Sequence, residues 1–143
     1  MERRDSTVDT PFVVMAIDNN GDGTIDDELN FGPWYQTGRF ILPGGVPDQG
    51  SSQLNTWQKW DALRGGWFAF TTVQEDPDHS GHVITMAAYK TKYPNAVIRN
   101  LANGLGGFRI QAGGPIFSNN FIGYVDKLKI GVSGTNTTYD FEE

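Results

Sequence analysis

The sequence predicts an all-β protein, an antiparallel two-sheet β-sandwich of jelly-roll or concanavalin-like type with one short helix. Three observations carry that expectation. Glycine occurs 18 times and aromatic residues make up 13% of the 143 residues, while the Leu/Ala/Glu runs that feed long helices are missing. Near the end of the chain Ile122, Tyr124, Leu128, Ile130 and Val132 fall on alternate positions, with Lys127 and Lys129 between them. That two-residue period belongs to a half-buried strand. Short apolar runs are also separated by Gly, Pro, Asn and Asp clusters, the spacing of strands joined by tight turns.

Taken in order, residues 1–11 are polar and charged and read as a flexible tail, so that one domain is expected over residues 12–143. Residues 12–17 form an apolar run expected to be a strand buried on both faces. An acidic and Gly-rich structured loop over residues 18–28 follows, then an aromatic cluster of Phe31, Trp34 and Tyr35. Residues 43–50 hold Pro and Gly where the chain must turn. Strands are expected over residues 54–60 and 66–72, flanking a turn at residues 61–66. Thr85 can cap a helix on which Met86, Tyr89 and Tyr93 recur at helical spacing before Pro94 stops it. Residues 108–112 alternate like a strand, and residues 137–142 read as a terminal strand after a turn at 133–136.

Composition excludes several classes of function. Lys and Arg total 11 against 17 for Asp and Glu, a net charge of −6 that opposes binding to a phosphate backbone, so nucleic acid is not expected as a partner. Cysteine is absent, which removes disulfides, thiolate catalysis and thiolate metal sites together. Nowhere do enough apolar residues run together for a membrane-spanning helix, and no membrane insertion is expected. The first residues lack the apolar stretch of a secretory signal; for an exported protein, this points to a domain from which the signal has been removed.

The sharpest local pattern is Asp18-Asn-Asn-Gly-Asp-Gly-Thr-Ile-Asp26. It puts side-chain oxygens at loop positions one, three, five and nine around a glycine at six. Calcium is a hard cation that takes six to eight oxygens, and a tightly curled backbone can turn alternate side chains inward to supply them. Asp18, Asn20, Asp22 and Asp26, with the Thr24 carbonyl, are the predicted ligands. The loop departs from the helix-loop-helix pattern, because position twelve is Leu29 rather than a bidentate Glu and the entering segment reads as strand. Asp27, Glu28 or a distant residue could complete the set, and the bland alternative is an Asn/Asp/Gly turn without an ion.

Tyr35, Trp57, Trp60 and Trp67, near polar Gln36, Asn55, Gln58 and Asp61, are the candidate glycan-binding residues, since an aromatic face stacks on a pyranose while amides and carboxylates take its hydroxyls. Core packing is the competing account of each ring. His79 and His82 lie in an acidic stretch with Pro and Gly, which reads as a solvated loop rather than a zinc site. The paired-carboxylate pattern of jelly-roll glucanases, the nucleophile-elbow pattern and a phosphate-cradling loop are all missing, and no enzymatic activity is expected. Asp126 and Asp140 interrupt apolar alternation and must find partners, either backbone amides or an Arg such as Arg109, or else a second calcium.

The segments Trp57-Gln-Lys-Trp-Asp-Ala-Leu-Arg-Gly-Gly-Trp67, Gly104-Leu-Gly-Gly-Phe-Arg-Ile110, Phe121-Ile-Gly-Tyr-Val-Asp126 and Thr137-Thr-Tyr-Asp-Phe-Glu142 together resemble an uncharacterised domain of secreted and cell-surface bacterial proteins. The resemblance runs from about Val14 to Glu142. It implies a concanavalin-like or jelly-roll sandwich and an extracellular or cell-surface location, and it brings no catalytic residues. The expectation is a non-catalytic, calcium-stabilised binding module with a glycan or another surface ligand as partner. The alternative is a structural or adhesive subunit that self-associates through strand edges; a glycoside hydrolase is more remote.

Overall fold

A computed structural model describes residues 10–38, 46–53, 55–70, 83–112 and 124–141. Among the described residues the strands are β1 (Phe12–Asp18), β2 (Asp27–Phe31), β3 (Gly66–Ala69), β4 (Val83–Thr85), β5 (Val97–Ile98), β6 (Phe108–Gln111), β7 (Leu128–Val132) and β8 (Thr135–Tyr139), with one helix, α1 (Met86–Lys92), and a 3-10 turn at Pro33–Tyr35. The first six strands form one sheet in the order β4-β3-β2-β1-β5, with β6 also on β1, while β7 and β8 pair with each other. All of these pairings are antiparallel. The all-β expectation with one helix therefore holds at that level.

Strand β1 is the spine of the sheet. It pairs with β2 through Val13↔Phe31 to Ile17↔Asp27, and its other edge meets β6 at Met15↔Phe108 and β5 at Ile17↔Ile98. While β1 advances two residues, its partner runs from Phe108 back to Ile98, so β5 and β6 are one edge strand broken by an excursion over residues 99–107. Ala16 closes that excursion from both sides: its N–H donates to Gly107 O at 2.8 Å and its carbonyl accepts from Arg99 N at 3.0 Å. A side chain at Gly107 would overlap the Arg99 carbonyl, and Gly104 at φ 83° turns the excursion back. The Gly-rich stretch 104–107 is thus explained by backbone geometry.

Both faces of β1 are buried, as its uninterrupted apolar run predicts: Val14, Met15, Ala16 and Ile17 are all buried. On one face Met15, Ile17, Leu29, Phe31, Trp67, Ala69 and Tyr89 form the main core, closed by Trp60, Ala62, Met86 and Tyr93. Helix α1 is the lid over this face. Thr85 caps it by accepting from Ala88 N at 3.1 Å, and it ends where Tyr93 N–H reaches Tyr89 O, just before Pro94. On the other face Phe68 and Val83 pack with Tyr35 and Trp34.

Several sequence expectations are corrected. Residues 55–60 form no strand. Gln58 instead braces a loop, accepting from Gln53 N at 2.7 Å and donating to Ser51 O at 3.0 Å, while Asn55 sits at φ 54°. The strand expected over 66–72 is seen as far as Ala69. The late strand begins only at Leu128, because Lys127 takes φ 53° and breaks the extended run; Val132 is exposed rather than half-buried. The terminal strand starts earlier than expected, since the turn is just Ser133 and Gly134, both at positive φ, as a two-residue hairpin matched to strand twist requires. Sequence reading missed β2, β4 and β5. Residues 1–9 of the expected tail, and 39–45, 54, 71–82, 113–123 and 142–143, lie outside the described residues.

Because Gly107 sits against the Arg99 carbonyl, Gly107→Ala is expected to destabilise the fold by about 1–3 kcal/mol. Urea unfolding monitored by Trp fluorescence measures it.

Candidate functional site

The acidic loop lies between β1 and β2, where Asp26 N–H donates to Ile17 O at 2.8 Å and closes the corner. Gly21 and Gly23 take φ 82° and 98°, which curls the backbone around Asp18. The Asp18 side chain has no solvent exposure. Its Oδ1 accepts from the N–H groups of Asn20 (3.3 Å), Gly21 (2.6 Å) and Asp22 (3.2 Å), and its Oδ2 from Gly23 N–H (2.8 Å) and Arg99 Nε (2.9 Å). Burial opposes ionisation, yet the Gly23 amide, the Arg99 guanidinium and the Gly21 and Asn20 amides outweigh it and hold the pKa at about 2.

The other predicted ligands bend onto the same loop. Asn20 Oδ1 accepts from Asp22 N at 2.8 Å, and Asn20 Nδ2 donates to Asp22 Oδ2 at 3.0 Å. Thr24 N–H donates to Asp22 Oδ1 at 2.8 Å, a bond that leads in lowering the Asp22 pKa. Asp26 Oδ2 accepts from Asn19 N at 2.9 Å. Among the described residues no group of three or more His, Cys, Asp or Glu side chains is arranged to hold a metal. A cation here would therefore draw on the Asn20 amide and the Thr24 carbonyl besides carboxylates, the neutral oxygens that calcium accepts.

Asp27 and Glu28, the two neighbours that could complete a ligand set, face other partners. Asp27 is buried beneath α1, where the Tyr89 hydroxyl lies 3.0 Å from its Oδ2 and 2.5 Å from Asn19 Oδ1. Burial, then the Asp27 charge, pushes the Tyr89 phenol well above its ordinary pKa. Glu28 pairs with Arg109 across β1 at 2.5 Å. Sequence reasoning missed Tyr89, Arg99 and Arg109 as partners of this region; they are distant in sequence and only strand register brings them in.

The aromatic residues do not form one platform. Trp67 is buried, its indole N–H donating to Ala62 O at 2.8 Å, and it packs on Phe31 with ring centroids 5.4 Å apart. Tyr35 is buried and stacked on Phe68. Trp60 is half-buried against the main core. Trp57 alone among the four is exposed, at 69%, and its ring lies 6.5 Å from that of Tyr124, itself 76% exposed.

Of the polar groups expected to serve sugar hydroxyls, Gln36, Gln58 and Asp61 are engaged within the chain. Gln36 is fully buried: Nε2 donates to Gly32 O and Gly66 O, and Oε1 accepts from Gly66 N. Gln49 extends this network, accepting from Asp61 N at 2.7 Å and donating to Asp61 O at 3.1 Å. The Asp61 carboxylate accepts from Leu63 and Arg64 N–H, and Gln58 braces its loop.

Asp126 accepts from the N–H groups of Lys127 (2.6 Å) and Phe141 (3.0 Å), and the Lys127 ammonium bridges it to Asp140. Backbone amides thus account for this carboxylate, with Lys127 in the place foreseen for Arg109. His79 and His82 lie outside the described residues. No helix among the described residues is long and apolar enough to cross a membrane. No family model matches the chain, and neither the curated proteins nor the solved structures contain a match.

Asp18 titrates below its unfolded value of 3.8, so its contribution to stability is complete above that pH and is lost as pH falls toward about 2. Asp18→Asn is expected to flatten the acid limb of a Tm-versus-pH profile in this window, which calorimetry reads. Gln36→Leu strands buried Gly32 and Gly66 groups and is expected to cost on the order of 2–4 kcal/mol in urea unfolding.

Proposed function

We propose that this chain is a non-catalytic extracellular binding or surface module whose β1–β2 loop takes calcium as a structural ion. One observation carries this reading: in a loop with oxygen-bearing side chains at alternate positions, positive-φ Gly21 and Gly23 curl the backbone so that its amides point at the buried carboxylate of Asp18. Charge density supports it. Residues 18–28 hold five carboxylates, Asp18, Asp22, Asp26, Asp27 and Glu28, within one short corner of the sheet. A dication there would offset their mutual repulsion and tie β1 to β2.

In this reading the six-stranded sheet is one layer of a jelly-roll or concanavalin-like sandwich, which the burial of both faces of β1 supports. The extracellular placement rests on the sequence resemblance. Glycan binding narrows to Trp57 and Tyr124, the exposed ring pair.

A second reading, a structural or adhesive subunit that self-associates, is favoured by the β7–β8 hairpin. Among the described residues β7 and β8 pair only with each other, a two-stranded sheet is marginal in water by itself, and Val132, Tyr139 and Phe141 are exposed on or beside it.

Calcium added to chelator-treated protein at a hundredfold excess over its Kd is expected to stabilise the fold by about 2.7 kcal/mol. Calorimetry should then show Tm rising by at least about 5 °C. An unchanged Tm, with no binding heat on titration, removes calcium from the account. Light scattering with and without calcium separates the second reading, which requires assemblies larger than a monomer.

A further inference from the structure

The acidic loop already holds one cationic group, and it comes from the chain that follows β5, on the edge of β1 opposite β2. Arg99 reaches Asp18 Oδ2 with its Nε at 2.9 Å, and its Nη2 lies beside Gly23 at loop position six. Its placement is fixed by backbone: Arg99 N–H is bonded to Ala16 O, two residues before Asp18, and the Arg99 carbonyl is packed against Gly107. Arg99 is also the first residue of the 99–107 excursion, whose mouth is closed by Gly107 N–H donating to Asn100 Oδ1 at 3.0 Å. One side chain therefore links the loop to the root of the excursion.

We propose that Arg99 is the resident cation of the Asp18 loop, an internal competitor that a divalent cation must displace from Asp18, and that displacement loosens the 99–107 excursion. The proposal rests on the calcium reading given above. Asp18 has two carboxylate oxygens, both taken up by N–H donors, and Oδ2 is shared between the Gly23 amide and Arg99: the Arg99 side chain is 42% exposed and borders water, whereas the loop amides cannot leave without uncurling the backbone. A dication coordinated at Oδ2 beside the guanidinium would set like charges against each other within a few ångströms. Exchange of one cation for the other removes that repulsion. The surrounding charged groups are consistent with a single switchable contact, since Glu28 is taken by Arg109 and Asp27 faces the Tyr89 hydroxyl.

The test compares wild type, Arg99→Gln and Arg99→Lys in the full chain, by calcium titration calorimetry and by hydrogen exchange with and without calcium. Arg99→Gln should bind calcium about tenfold tighter than wild type, with Arg99→Lys between them. In wild type, calcium should speed amide exchange at residues 101–107 while slowing it at residues 19–24. Calcium binding to wild type that is unchanged or weakened in both variants overturns the competitor role and leaves the calcium reading standing. The absence of binding in all three proteins overturns both. Tighter binding with exchange at residues 101–107 unaffected by calcium contradicts the link to the excursion.

Discussion

A carboxylate taken out of water must find its hydrogen-bond donors within the protein, and Asp18 stands at the end of the central strand with no exposed surface. It solves this locally, by curling the loop until the four amides of residues 20–23 point back at it, and remotely, through Arg99. Both solutions constrain the sheet. The local curl returns the chain in register for Ile17↔Asp27, which sets the whole β1–β2 pairing. The remote one ties the loop to Arg99, which backbone bonding holds opposite Ala16, where the edge strand leaves the sheet and later rejoins it as β6.

Much of this could be read from residue order. The apolar run of β1, the Thr85 cap with its following helix, and the Asp/Asn/Gly spacing of the loop are local patterns, and each is visible without knowledge of its partners. Strand β2 is not, because Asp27, Glu28 and Asn30 make it look like a continuation of the loop. The two carboxylates are tolerated in a strand through long-range partners: Tyr89 for Asp27 and Arg109 for Glu28. Residues 55–60 fail in the opposite direction. Their Trp-rich sequence suggests a strand, but the side chain of Gln58 satisfies nearby backbone groups and holds them out of a ladder.

The aromatic cluster shows how burial decides between two uses of one residue type. Trp67 and Tyr35 have neighbours on all sides and serve the core, and the amides beside them are consumed by backbone groups of the same corner. Gln36 is the clearest case, a side chain that looks available for a ligand in sequence and is instead the link between the Pro33–Tyr35 turn and the start of β3. What remains at the surface is Trp57 with Tyr124, and an acidic corner whose curl is already in place.

The central claim is that the loop is organised by the buried Asp18 carboxylate. Residue-resolved amide exchange by NMR at neutral pH tests it directly. The account predicts that the N–H groups of Gly21 and Gly23 exchange far more slowly than in an unstructured peptide, and that Asp18→Asn removes this protection while β1 to β3 keep theirs. Exchange of both glycine amides at the unstructured rate in the wild-type protein would contradict it.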